Sequence, residues 1–126
     1  MKIASLIARL LLGLIFLFFG LNGFLQFLHM PPPTGMALQF VGVLFASHFY
    51  VLIFGVQVLG SLLILVNRFV PLALVLLAPV IVNILCFHIL MAPAGLPLAF
   101  VVTLLWAIVA IHNKQQLSGI FAPGQP

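Results

Sequence analysis

The feature that most constrains this chain is a series of four apolar runs, each long enough to cross a bilayer and separated by short polar or proline-rich breaks. About 20 apolar residues span the hydrocarbon core as a helix. The runs cover about Ile3 to Leu28, Phe49 to Val66, Phe69 to Met91 and Leu96 to Ile111. No soluble fold is open to such a sequence. Only 3% of its 126 residues are charged, against roughly 25% in soluble domains, so a soluble fold would have no solvated surface. The expected fold class is all-α, a bundle of four transmembrane helices in one domain, residues 1–117, followed by a flexible tail at 118–126. The expected location is the cell membrane.

The breaks carry their own chemistry. Pro31, Pro32, Pro33, Thr34 and Gly35 cannot continue a helix. Asn67 and Arg68 make a tight connection, with Pro71 suited to the first turn of the next helix. Pro93, Ala94, Gly95 and Pro97 form the third break. The stretch from Met36 to Ser47 is apolar but too short to span, and it predicts a short interfacial or re-entrant helix between spans one and two. The first run has a basic start but is longer than the roughly 7–15 apolar residues of a secretory signal, so it reads as a retained span.

Charge sets the orientation. The chain has no Asp or Glu, and its charged side chains are Lys2, Arg9, Arg68 and Lys114. Four spans put all of them on one side, and the positive-inside rule then makes both termini cytoplasmic. Scattered singly, they do not form the basic patch that nucleic acid requires. Cys86 is alone, so neither an internal disulfide nor dithiol chemistry is available. The histidines are dispersed and no carboxylate side chain exists, so no metal site is expected. No catalytic residue is expected either.

The polar residues at membrane depth are the candidates for function. Asn22 and Gln26 lie four apart in span one and share a helical face. Gln57 lies near the middle of span two, in a stripe with Ser61, Ile64 and Arg68. Asn83 and His88 lie in the outer half of span three, where Pro79, Asn83 and Cys86 form one stripe and His88 points away from it. Asn22, Gln26, Gln57, Asn83 and His88 are read either as a ligand-binding cluster or as interhelical glue, the common role of transmembrane amides. Arg9, inside the first run without an acid to pair with, has three candidate partners: lipid phosphate, backbone carbonyls or amides, or an acid on a partner protein.

Three segments carry a family resemblance. The first span, ARLLLGLIFLFFGLNGFLQFL, resembles the opening of DoxX-type membrane proteins at Arg9, Gly13, Gly20, Asn22 and Phe24, with Gly23 where a basic residue is common. The segment VQVLGSLLILVNRFVPLAL resembles that family's Glu-x-x-Gly-x-Leu-Leu-Leu segment and its Arg-x-x-Pro turn. PVIVNILCFHILMAPAGLP resembles its Asn and His-x-x-x-x-Pro-x-Gly stretch. The resemblance covers roughly Arg9 to Pro97. It implies a four-helix membrane fold and a link to quinol or thiosulfate oxidation. One departure matters: Gln57 stands where the family commonly has Glu, and Gln can neither take up a proton nor pair with Arg9 as a charge.

Three functions follow as expectations. The first is a non-catalytic membrane subunit that supports redox chemistry, with a quinone held by the five polar residues. The second is a structural or assembly partner within a membrane complex, with a partner redox protein or as a homo-oligomer. The third, a small transporter, is weakened by the lack of any acidic side chain for cation coupling.

Overall fold

The computed structural model describes residues 2–124. Helix α1 spans Lys2–Leu25, α2 Gly35–Ala46, α3 Tyr50–Val66, α4 Val70–Leu90, α5 Leu96–His112 and α6 Lys114–Leu117. No strand is present among the described residues. Of the tail expected at 118–126, Ser118–Phe121 form an exposed 3-10 turn, and Gln125 and Pro126 lie outside the described residues.

The long helices form an up-and-down ring. α1 packs against α3 and α5, and α4 packs against the same two helices. α1, α4 and the stretch Pro93–His112 are each long and apolar enough to span a membrane. α3 supplies the fourth candidate with α2, from which it is bent by 86°. The separate short helix expected between spans one and two is therefore α2. Large apolar side chains are exposed along every long helix, Leu14, Leu59, Val82 and Leu104 among them. That exterior is stable against lipid and not against water.

Small residues set the closest approach. The buried face of α1 repeats at helical spacing through Ser5, Ala8, Leu12, Phe16, Gly20 and Gly23. A Cβ on Gly13 would lie 2.7 Å from Leu65, and one on Gly20 would lie 2.9 Å from Val58. A Cβ on Gly23 would overlap the Phe54 ring. These pairs run in opposite directions along the two helices, so α1 and α3 are antiparallel with their backbones close, as small residues allow in membranes.

The buried core occupies one half of the bundle. It joins Ala8, Leu12 and Phe16 of α1 to Ile64 of α3, Leu74 and Leu77 of α4, and Val102 and Val109 of α5. This is the half near Lys2, Arg68 and His112. The other half is closed by rings. Phe45 of α2 stacks on Tyr50 at 4.7 Å, Phe24 of α1 lies 5.9 Å from Tyr50, and Phe40 of α2 lies 5.4 Å from Phe87 of α4. α2 is thus pinned across the far ends of α3 and α4.

Two helix ends differ from the sequence expectation. The first span was expected to run to about Leu28, but α1 stops at Leu25 because Gln26 adopts φ 51°. A left-handed residue ends a helix, and the Leu28 N–H then donates to Asn22 Oδ1 at 2.9 Å. Asn22 and Gln26 consequently do not share a helical face. α3 ends in a Schellman turn. Asn67 is left-handed, its N–H donates to the Ile64 carbonyl at 3.3 Å, and the Arg68 N–H donates to the Leu63 carbonyl at 3.1 Å. Arg68 therefore leaves the stripe of Gln57, Ser61 and Ile64, which are buried while Arg68 is exposed.

Candidate functional site

Of the five polar residues expected to cluster, Asn22, Gln57 and His88 are each engaged separately. Gln57 is 3% exposed, and its Nε2 donates to the Phe16 carbonyl of α1 at 3.0 Å. Asn22 is half-buried and accepts from Leu28. The half-buried His88 ring donates through Nδ1 to the Ala92 carbonyl at 3.0 Å and rests on Gly95, closing the α4–α5 turn. Gln26 and Asn83 are exposed. The helices that carry Asn22 and Asn83 sit across the ring from each other. No side-chain hydrogen bond joins any two of the five.

Side chains bind the backbone carbonyls of other elements instead. Besides Gln57 and His88, Trp106 Nε1 of α5 donates to the Leu74 carbonyl of α4 at 3.0 Å. Arg9 donates from Nη1 to the Ile64 carbonyl at 2.6 Å and to the Leu65 carbonyl at 3.2 Å. The last carbonyls of a helix lack intrahelical donors and carry partial negative charge, so Arg9 both ties α1 to α3 and caps the end of α3. Of the partners open to Arg9, backbone carbonyls are the ones it meets. Every fully enclosed side-chain nitrogen or oxygen among the described residues has a hydrogen-bond partner.

Asn83 stands apart from this scheme. It lies thirteen residues along α4 from Val70, about 20 Å at 1.5 Å per residue, and so within hydrocarbon depth. It is exposed and makes no hydrogen bond to another described residue. Pro79, one turn earlier, is also exposed and has no N–H, so the Val75 carbonyl loses its helical donor. Cys86 is exposed on the same side of α4. The sequence stripe of Pro79, Asn83 and Cys86 therefore faces outward, towards lipid, and not into the bundle.

A second polar feature lies at the opposite end of α4. The start of α1, the α3–α4 turn and the end of α5 meet around a cleft of about 230 Å³ lined by Lys2, Ser5, Arg9, Asn67, His112 and Asn113. Sequence reasoning gave Arg9 lipid phosphate among its candidate partners but treated Lys2 as a marker of orientation alone. Their shared side of the membrane was the signal that they could meet.

No family model matches the chain, and neither a curated protein nor a solved structure matches it. What the architecture establishes is a bundle of apolar helices suited to a lipid bilayer.

Proposed function

We propose that this chain is a non-catalytic membrane protein that works by assembly, pairing with a second copy of itself along the outer face of α4. The observation that carries the reading is Asn83, an amide without a partner at hydrocarbon depth. Leaving such a group unpaired in an apolar medium costs about 1–3 kcal/mol or more. A primary amide both donates and accepts, so two Asn83 side chains facing each other satisfy one another. Copies that share one membrane orientation are related by an axis along the bilayer normal. That symmetry sets α4 parallel to its mate and each residue opposite itself. The proposed orientation has both termini in the cytoplasm, following the positive-inside rule.

The resemblance to DoxX-type proteins supports a setting in membrane redox chemistry, with the chain as a supporting subunit. A quinone held by Asn22, Gln26, Gln57, Asn83 and His88 draws no support from the geometry, since no side-chain hydrogen bond joins any two of them.

Cys86, one turn beyond Asn83, gives a direct test. Mild oxidation of membranes containing the native chain is expected to give a disulfide-linked dimer that is absent in Cys86→Ser. Asn83→Leu should reduce the yield and shift detergent-extracted protein towards monomer. A monomer in native mass spectrometry together with no Cys86 cross-link would sink the proposal. Co-purification of a different membrane protein in one-to-one ratio would replace the second copy with that partner.

A further inference from the structure

We infer that the cleft between the start of α1, the α3–α4 turn and the end of α5 binds a phosphate group, that of an anionic phospholipid at the bilayer surface. Four observations lead there. The cleft, about 230 Å³, is smaller than the roughly 300–1,000 Å³ typical of cofactor pockets and suits a small polar head. Its rim carries Lys2, Arg9 and His112, together with the amides of Asn67 and Asn113. No Asp or Glu side chain exists anywhere in the chain to neutralise them. Ser5, which also lines the cleft, is only 5% exposed, yet its hydroxyl makes no hydrogen bond to another described residue. Its hydroxyl adds a neutral donor among the cleft-lining residues.

The local backbone favours an anion as well. α1 begins at Lys2, so its first-turn N–H groups, which have no intrahelical acceptors, sit at the cleft with the positive end of the helix. The end of α3 brings opposing partial negative charge, but Arg9 Nη1 already occupies the Ile64 and Leu65 carbonyls. Asn113 Nδ2 is spent on the Val109 carbonyl at 2.8 Å, which leaves Lys2, Ser5, Asn67, His112 and the rest of the Arg9 guanidinium as donors. Phosphate, with several acceptor oxygens and negative charge, matches donors of this kind. The position fits a lipid, since helix ends lie where headgroups lie, and basic pockets between helices at that depth bind anionic lipid heads.

The test uses the full chain purified in a mild detergent, with phosphatidylglycerol, phosphatidylcholine or inorganic phosphate added, and native mass spectrometry as the readout. Phosphatidylglycerol should be retained in preference to phosphatidylcholine. Ser5→Ala and Lys2→Gln should each weaken retention about tenfold, the effect of losing one hydrogen bond to a charged group. Arg68→Gln and Lys114→Gln, which remove charge at the same end but outside the cleft, should leave it unchanged. His112→Gln provides a second cleft variant should either of the first two fail to fold. If millimolar inorganic phosphate displaces the lipid, the phosphate chemistry stands with a soluble source. If it does not, the lipid source stands. Equal retention of both lipids, or equal losses in Arg68→Gln and Lys2→Gln, would overturn the site in favour of diffuse surface charge.

Discussion

Arg9 Nη1 lies 2.6 Å from the carbonyl oxygen of Ile64, a residue with no exposed surface. A cation inside an apolar run is thereby joined to the end of a different helix. The Arg9 side chain fixes the register of α1 on α3 at the same level as the Schellman turn that stops α3.

Arg9→Ala should therefore loosen this end of the bundle. The expected loss is about 1.5 kcal/mol, the low end for hydrogen bonds to a charged group because the side chain is half-exposed. Arg9→Lys should recover only part of it, since an ammonium is more strongly hydrated than a guanidinium and gives up more on leaving water. Reversible unfolding in mixed micelles by added sodium dodecyl sulfate measures both.

Gly23→Ala should push α1 away from α3, because the new methyl would enter the volume of the Phe54 ring. Overpacking of this kind costs about 1–3 kcal/mol. Phe54→Ala combined with Gly23→Ala should recover part of the loss. If the two losses simply add in the same unfolding assay, the two residues do not meet.

Gln57→Leu should have a small effect. The Phe16 carbonyl keeps its own helical donor, and amide links between membrane helices average about 0.6 kcal/mol, with a maximum near 1.7. A loss far above that range, or the disappearance of a bound small molecule in native mass spectrometry, would mean that Gln57 does more than hold α3 to α1.

Gly95→Ala should disturb the α4–α5 turn, since its Cβ would fall on the His88 ring. The change should appear as faster amide hydrogen exchange around Ala92 to Leu96, and His88→Ala should relieve it. His88→Ala alone should leave α4 and α5 paired, because Trp106 still reaches the Leu74 carbonyl.

A reporter fused after Pro126 should report a cytoplasmic C-terminus, and one placed before Met1 the same side. A C-terminus found outside would remove the positive-inside reading of Lys2, Arg68 and Lys114 together.

The sequence made the helices legible because hydrocarbon thickness sets their length and proline marks the breaks. The α2 segment stood out for being apolar yet short, and the α3–α4 turn for Asn67, Arg68 and Pro71. The end of α1 was less legible. It is set by Gln26 in a left-handed conformation, which Gly or Asn would announce and Gln does not. How the five polar residues divide was less legible for another reason. Helical phase ranks residues around one helix but cannot say which face meets a neighbour, and Asn83 lies on the face that meets none within the chain. Ser5 was in phase with Ala8, Leu12 and Phe16 and could have been read as buried. Its hydroxyl gained meaning only when His112 and Asn67 arrived from distant parts of the chain.

Only residues 67 to 69 separate α3 from α4. Fully extended, a stretch of that length covers about 10 Å, well short of the ~30 Å of hydrocarbon. The end of α3 and the start of α4 are thus tethered to one surface from the moment both are synthesised. With both termini in the cytoplasm, as proposed, the two helices would enter the bilayer as a hairpin, led by the α2 side of α3, with Arg68 left behind at the face of insertion.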